Sequence, residues 1–134
     1  MNSLFDMNGR DIWVIGGAGY LGTAAVKLLV SCGAKVLCVD IGTRAHDMVA
    51  REKLEASVTP ESFDASDGKA AAEFVSRNLA RRGTPAGLVI MTYKSFPKSM
   101  NALLPEEFDE ANRVGLTATF VMARDVGNAM AEKK

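Results

Sequence analysis

The chain is poor in the residues that anchor metal ions and disulfide frameworks. It holds two cysteines, Cys32 and Cys38, and a single histidine, His46. A structural zinc site needs four ligands, so no metal site is expected. Two cysteines cannot build a disulfide scaffold. They read instead as small buried hydrophobes on either side of a turn at Gly33 and Ala34. His46 reads as a solvated helix residue. Charge of one sign is also missing, since 16 basic residues balance 16 acidic ones. No net field therefore draws nucleic acid. No apolar run approaches the roughly 20 residues that cross a bilayer, and no charged and apolar leader pair opens the chain. These gaps make a cytoplasmic setting the expectation, with no nucleic-acid or membrane partner. What is present is an ordinary apolar content, 48% over 134 residues. That suffices for one domain, residues 1–134, with a buried core, and it argues against disorder.

Strand and helix patterns alternate along the chain. Residues 1–10 are a polar lead-in. Asp11–Ile15 is a short apolar strand stopped by glycine. Residues 20–32 carry apolar side chains at helical spacing, and Gly33 stands where a helix ends. Lys35–Asp40 is nearly all apolar, as suits a parallel strand covered on both faces. Residues 44–56 suggest an exposed helix, broken at Thr59 and Pro60, and residues 62–64 a weak third strand. Ser66 and Asp67 cap a helix over 68–82, with Ala71, Phe74, Val75, Asn78 and Leu79 on one stripe. A fourth apolar strand spans 87–92 and a loop spans 93–104. Pro105, Glu106 and Glu107 then open a last helix running to Lys134, with Lys133 and Lys134 at its negative end. The alternation predicts an α/β fold with a parallel sheet of order 3-2-1-4 and helices on both faces.

The most informative segment is Gly16-Gly17-Ala18-Gly19-Tyr20-Leu21-Gly22. It follows a strand, opens a helix and precedes a second strand ending in an acid, the context that gives glycine spacing its meaning. Gly16 permits a tight turn, Gly19 lets a pyrophosphate approach the backbone, and Gly22 allows close helix packing. Free N–H groups at the helix start, at Tyr20 and Leu21, meet the phosphate charge. Asp40 lies 18 residues after Gly22. A carboxylate there accepts hydrogen bonds from the adenosine ribose and repels the extra phosphate of NADP, so NAD is favoured. Ile41 is grouped with it, while Arg44 is a nearby cation able to accommodate that phosphate. A structural turn without ligand and another adenosine-ended ligand, such as S-adenosylmethionine, stay open on these residues alone.

These residues resemble the short-chain dehydrogenase/reductase family, whose glycine segment reads Thr-Gly-Gly-Ala-Gly-Tyr-Ile-Gly in its nearest variant, with Ile15 here in place of the threonine. Phe63-Asp64-Ala65-Ser66-Asp67 resembles the family's Asp-Val-Thr-Asp element. The resemblance implies that Asp64 accepts from the adenine amino group and that Ala65 offers backbone contacts. On residue type alone, Asp64 is also a plain strand-end turn residue. Val114-Gly115-Leu116-Thr117-Ala118-Thr119-Phe120 resembles the family's Val-Asn-Leu-x-Gly-x-Phe stretch, so the likeness runs from about residue 5 onward.

Three departures accompany it. The family's Asn-Asn-Ala-Gly is replaced by Ile90-Met91-Thr92-Tyr93, leaving Thr92 to line the cofactor ribose. The helix asparagine of the family's catalytic set is Gly115, where a kink or close approach is expected. Neither tyrosine begins a Tyr-x-x-x-Lys, because Tyr20 is followed at that spacing by Ala24 and Tyr93 by Pro97. In the family that tyrosine donates the proton and the lysine lowers its pKa. The resemblance therefore implies the NAD-binding part of an oxidoreductase, stopping before the fifth strand, with no catalytic residue of its own. A non-catalytic nucleotide-binding or regulatory module is the alternative. A receiver-type or flavodoxin-like module fits the length but not the glycine turn. The fourth strand as an unprotected edge, and the last helix with Phe108, Leu116, Phe120 and Met130, suggest a homo-oligomer.

Overall fold

A computed structural model describes residues 3–133. Met1, Asn2 and Lys134, the ends of the expected lead-in and last helix, lie outside the described residues. The elements are β1 (Asp11–Ile15), α1 (Tyr20–Ser31), β2 (Lys35–Asp40), α2 (Arg44–Glu52), β3 (Val58–Ser62), α3 (Gly68–Arg82) and β4 (Gly87–Ile90). A helical rod follows, made of α4 (Pro105–Asn112), a π-helical turn Arg113–Thr117 and α5 (Ala118–Glu132). The four strands are parallel in the order β3-β2-β1-β4.

Both sheet faces are covered, which explains the unbroken apolar runs of β1 and β2. Trp13 and Ile15 of β1 and Leu37 and Val39 of β2 face α3 and α5. Their neighbours Ile12, Val14, Val36 and Cys38 face α1 and α2. Period-two alternation thus feeds two cores rather than one core and a wet face. Trp13 meets Phe74 of α3 edge-on at 6.3 Å, and Phe74 stacks on Phe63 at 4.7 Å. The indole N–H donates to Asp11 Oδ2 (3.0 Å), and Arg82 pairs with the same carboxylate. Burial, with the charge of Asp40 beside it, pushes the Cys38 thiol up to about 12, so this cysteine behaves as an inert hydrophobe.

Several elements differ from the sequence expectation. The third strand is Val58–Ser62, not 62–64, and Thr59 and Pro60 lie inside it. Pro60 sits opposite Cys38 in the register. As β3 is the outer strand, the missing N–H of proline breaks no further ladder. Helix α2 ends at Glu52 rather than 56, because Lys53 turns left-handed (φ 56°) and the Leu54 N–H donates to Val49 O. Nor is α2 simply an exposed helix, since Ala45, Met48 and Val49 form a buried stripe at helical spacing. The fourth strand is shorter than 87–92, ending at Ile90. The last helix is interrupted around Gly115 by a π turn, and the close approach expected there is not found, since an added Cβ meets no described atom within 4 Å. Met130 packs against the core instead of joining the exposed Phe108, Leu116 and Phe120. The expected caps are in place: Asp67 Oδ1 accepts from Lys69 N (2.9 Å), and Gly33 takes a φ of 91° after α1.

Candidate functional site

Parallel strands leave their carboxyl ends on one edge of the sheet. The chain order reverses there between β2 and β4, on either side of β1, and such a switch point opens a crevice. A cavity of about 360 Å³ occupies that position. Of the residues singled out from sequence, Gly16, Gly19, Asp40 and Ile41 line it. Asp64, Ala65 and Thr92 complete the same wall. Tyr20, Leu21 and Gly22 do not line it. The side chains of Tyr20 and Leu21 are 95% and 70% exposed, so they bring only backbone to the turn, and Gly22 is buried beneath it.

The glycines divide the labour by space. Gly16 holds a φ of 81°, and an added Cβ would lie 2.9 Å from the Met91 carbonyl carbon. A Cβ at Gly22 would lie 2.2 Å from the Gly16 oxygen. Both positions therefore exclude any side chain. A Cβ on Gly19 would meet nothing nearer than 3.6 Å, so this glycine leaves room for a ligand rather than for protein. Gly19 is also the N-cap of α1 and makes no side-chain cap. The first N–H groups of the helix have no intrahelical partner and point at whatever enters the turn.

Asp40 ends β2 with 7% of its surface exposed. Its Oδ2 accepts the Ala18 N–H (3.0 Å) and its Oδ1 accepts the Ile41 N–H (2.9 Å). Arg44 Nε stands 3.6 Å from Oδ1 on the cavity wall. Asp64 is exposed, and its Oδ1 accepts the Ser66 N–H (2.9 Å). That is an Asx turn at the strand end, and the second oxygen is left for the cavity. Thr92 carries a polar atom without a partner among the described residues: its Oγ1 is buried on the cavity wall and makes no hydrogen bond to them. A buried hydroxyl left unpaired costs stability unless a ligand or water pairs with it.

Together these features fit the adenosine and diphosphate part of a dinucleotide. The open Gly19 and the free helix N–H groups suit a diphosphate. The Asp40 carboxylate suits ribose hydroxyls, and the Thr92 hydroxyl suits a further sugar oxygen. Among the described residues no three His, Cys, Asp or Glu side chains gather as a metal site.

Sequence reading gave no site role to Phe63, Ser66, Met91, Tyr93, Lys94, Glu110 and Val114, all of which line the cavity. Tyr93 and Lys94 read as a plain loop pair. In the fold, Lys94 pairs with Glu110 of α4 at the cavity wall and lies over Phe96 at 5.5 Å. Lys98 pairs with Glu107, whose carboxylate also accepts the Leu104 N–H (3.0 Å). The hydrogen bond from Lys98, then that backbone N–H, holds Glu107 below the usual carboxylate range. The Lys94–Glu110 contact spans the whole loop, and no local spacing signals it. Val114 was quoted only for its place in a helix, and the π turn carries it to the cavity.

The family model for short chain dehydrogenase matches residues 10–134. No curated protein sequence matches the chain. Among solved structures, the short-chain dehydrogenase/reductase (glucose/ribitol dehydrogenase) from Brucella melitensis superposes with a TM-score of 0.82 at 19% identity. The match covers 93% of this chain and 53% of that one. A short-chain dehydrogenase/reductase from Serratia marcescens gives a TM-score of 0.81 at 22% identity, covering 92% of this chain and 52% of its own. This chain thus spans about half the length of the solved structures it matches. With the matched residues running across nearly all of its length, the chain belongs to the short-chain dehydrogenase family.

Proposed function

We propose that these 134 residues form the NAD-binding part of an oxidoreductase, with NAD favoured over NADP. One observation carries the reading: the glycine turn, the Asp40 carboxylate and the partnerless Thr92 hydroxyl converge on one cavity at the switch point of the sheet. In this reading the N–H groups at the start of α1 hold the diphosphate. Asp40 and Ile41 flank the adenosine ribose, Asp64 and Ala65 meet the adenine, and Thr92 pairs with a sugar oxygen. The bound cofactor would supply hydride transfer. No residue of this stretch is assigned the proton donation, since Tyr93 begins no Tyr-x-x-x-Lys and Lys94 is spent on Glu110. The buried carboxylate of Asp40 supports NAD, because a phosphate on the 2′-oxygen would face a negative charge.

Titration calorimetry with NAD, NADP and ADP-ribose tests this reading. NAD and ADP-ribose should bind more tightly than NADP. Asp40→Ala should weaken NAD roughly tenfold or more, as losing charge-assisted hydrogen bonds does, and narrow the gap to NADP. Absence of binding by all three ligands would sink the cofactor assignment.

Two further parts belong to the same proposal. A homo-oligomer would bury the exposed Phe108, Leu116 and Phe120 along the helical rod, or the outer edge of β4. A clean monomer by sedimentation at high concentration would contradict it. Cytoplasmic residence agrees with two unbridged cysteines.

A further inference from the structure

We propose that Asp40 is a positioning residue for the glycine turn: its carboxylate clamps the Ala18 amide and thereby holds the turn in the shape that presents its next amides to a diphosphate. The inference builds on the dinucleotide reading but assigns Asp40 a task that needs no ribose.

The hydrogen bonds of the turn fall into two sets. The N–H groups of Gly16 and Gly17 both donate to the Val39 carbonyl (2.7 and 3.0 Å). The Ala18 N–H donates to Asp40 Oδ2 (3.0 Å), while Oδ1 takes the Ile41 N–H of its own strand end (2.9 Å). Three successive amides are therefore fastened to the end of β2. Beyond them, Gly19 N reaches the Gly16 oxygen only at 3.4 Å, and the opening amides of α1 have no intrahelical acceptor. The clamp ends where the anion-facing stretch begins. Residue 18 is the pivot, because its amide is tied by a side chain from a neighbouring strand rather than by the backbone ladder.

The chemistry of the clamp requires a carboxylate. Both partners of Asp40 are donors, and a carboxylate offers about four acceptor sites. Two are used by the backbone, and two remain for a ribose and for Arg44, whose Nε stands 3.6 Å away. An asparagine at this position has one acceptor oxygen and an NH₂ group. It would set that NH₂ against one of the two N–H groups, leaving a donor facing a donor in a site that is nine-tenths buried.

The first test reads the wild-type chain directly. A scalar coupling across the hydrogen bond, between the Ala18 amide nitrogen and the Asp40 carboxyl carbon, should be measurable by NMR. Its absence would overturn the clamp whatever happens to variants. The second test compares Asp40→Ala, which offers no acceptor to either amide, with wild type. Amide exchange at Ala18 should quicken about tenfold, in line with a lost charge-assisted hydrogen bond, while Gly16 and Gly17 stay protected by Val39. Unchanged exchange at Ala18 would overturn the proposal. The third test uses ADP and 2′,3′-dideoxy-ADP as probes. A clamp predicts that Asp40→Ala weakens 2′,3′-dideoxy-ADP as well as ADP, with ADP losing more because it also gives up the ribose contact. Weakening of ADP alone would mean that Asp40 acts only through ribose hydroxyls, and the proposal would fall. Should wild type bind neither probe, the cofactor reading fails by itself, and the coupling and the exchange rates still decide the clamp.

Discussion

An alanine at position 22 would place its methyl carbon 2.2 Å from the Gly16 oxygen and 2.8 Å from the Cα and carbonyl carbon of Gly17. The first distance is roughly 0.8 Å inside the 3.0 Å that real Cβ atoms hardly ever breach. All three obstacles are backbone atoms, and the amides of Gly16 and Gly17 are pinned to Val39. No side chain can swing aside, so α1 must lift from the turn. Overpacking of this kind costs about 1–3 kcal/mol, and a rigid backbone obstacle belongs at the upper end, about 2–3 kcal/mol. For a chain of this size that lowers Tm by roughly 8–12 °C. Urea unfolding followed by circular dichroism would measure the loss. Gly115→Ala is the control: an added Cβ there meets nothing within 4 Å, and the residue is not left-handed. It should gain about 0.5–1 kcal/mol from lower backbone freedom in the unfolded chain. A Gly22→Ala variant within 0.5 kcal/mol of wild type would refute the packing argument, since ordinary surface substitutions fall in that range.

Thr92→Val should leave the ligand-free chain as stable as wild type or slightly more so, because it removes a buried hydroxyl that lacks a partner. The same change should weaken NAD roughly three- to tenfold, the value of one hydrogen bond, as read by calorimetry. Glu61 predicts an acid limb to stability. Burial acts to raise its pKa, but hydrogen bonds from Arg77 and Asn78 and the charges of Arg77 and Arg81 outweigh it and hold the carboxylate below the usual range. Its contribution is therefore complete above the unfolded glutamate value of roughly 4.3. It is lost as pH falls through the lower folded value. Glu61→Gln should flatten the stability curve below about pH 4 and cost about 1 kcal/mol at neutral pH, by urea unfolding across pH.

The first forty residues were the most legible part. Glycine spacing encodes backbone shape, and backbone shape is local, so the turn, α1 and the acid ending β2 follow directly from residue identity. Pro60 misled because proline is read as a breaker, whereas an outer strand tolerates it. The stripe of Ala45, Met48 and Val49 was hidden in a polar helix, because it is buried against the flanking strands β2 and β3 only once these have joined the sheet. Around the cavity, the glycines and Asp40 declare themselves through motif, while Lys94 and Glu110 meet only because the loop after β4 folds back on α4. The task of Asp40 toward Ala18 was likewise invisible, because a side chain bonding an amide 22 residues away leaves no periodic trace.

The central claim is that the crevice at the strand ends binds the adenosine diphosphate end of a dinucleotide. An amide-resolved NMR titration with ADP-ribose tests it most directly. Saturable shifts should concentrate at residues 16–22, 40–41, 64–66 and 92, with the far ends of α3 and α5 unmoved. Shifts confined to the helical rod, or none at concentrations that saturate authentic family members, would contradict the account.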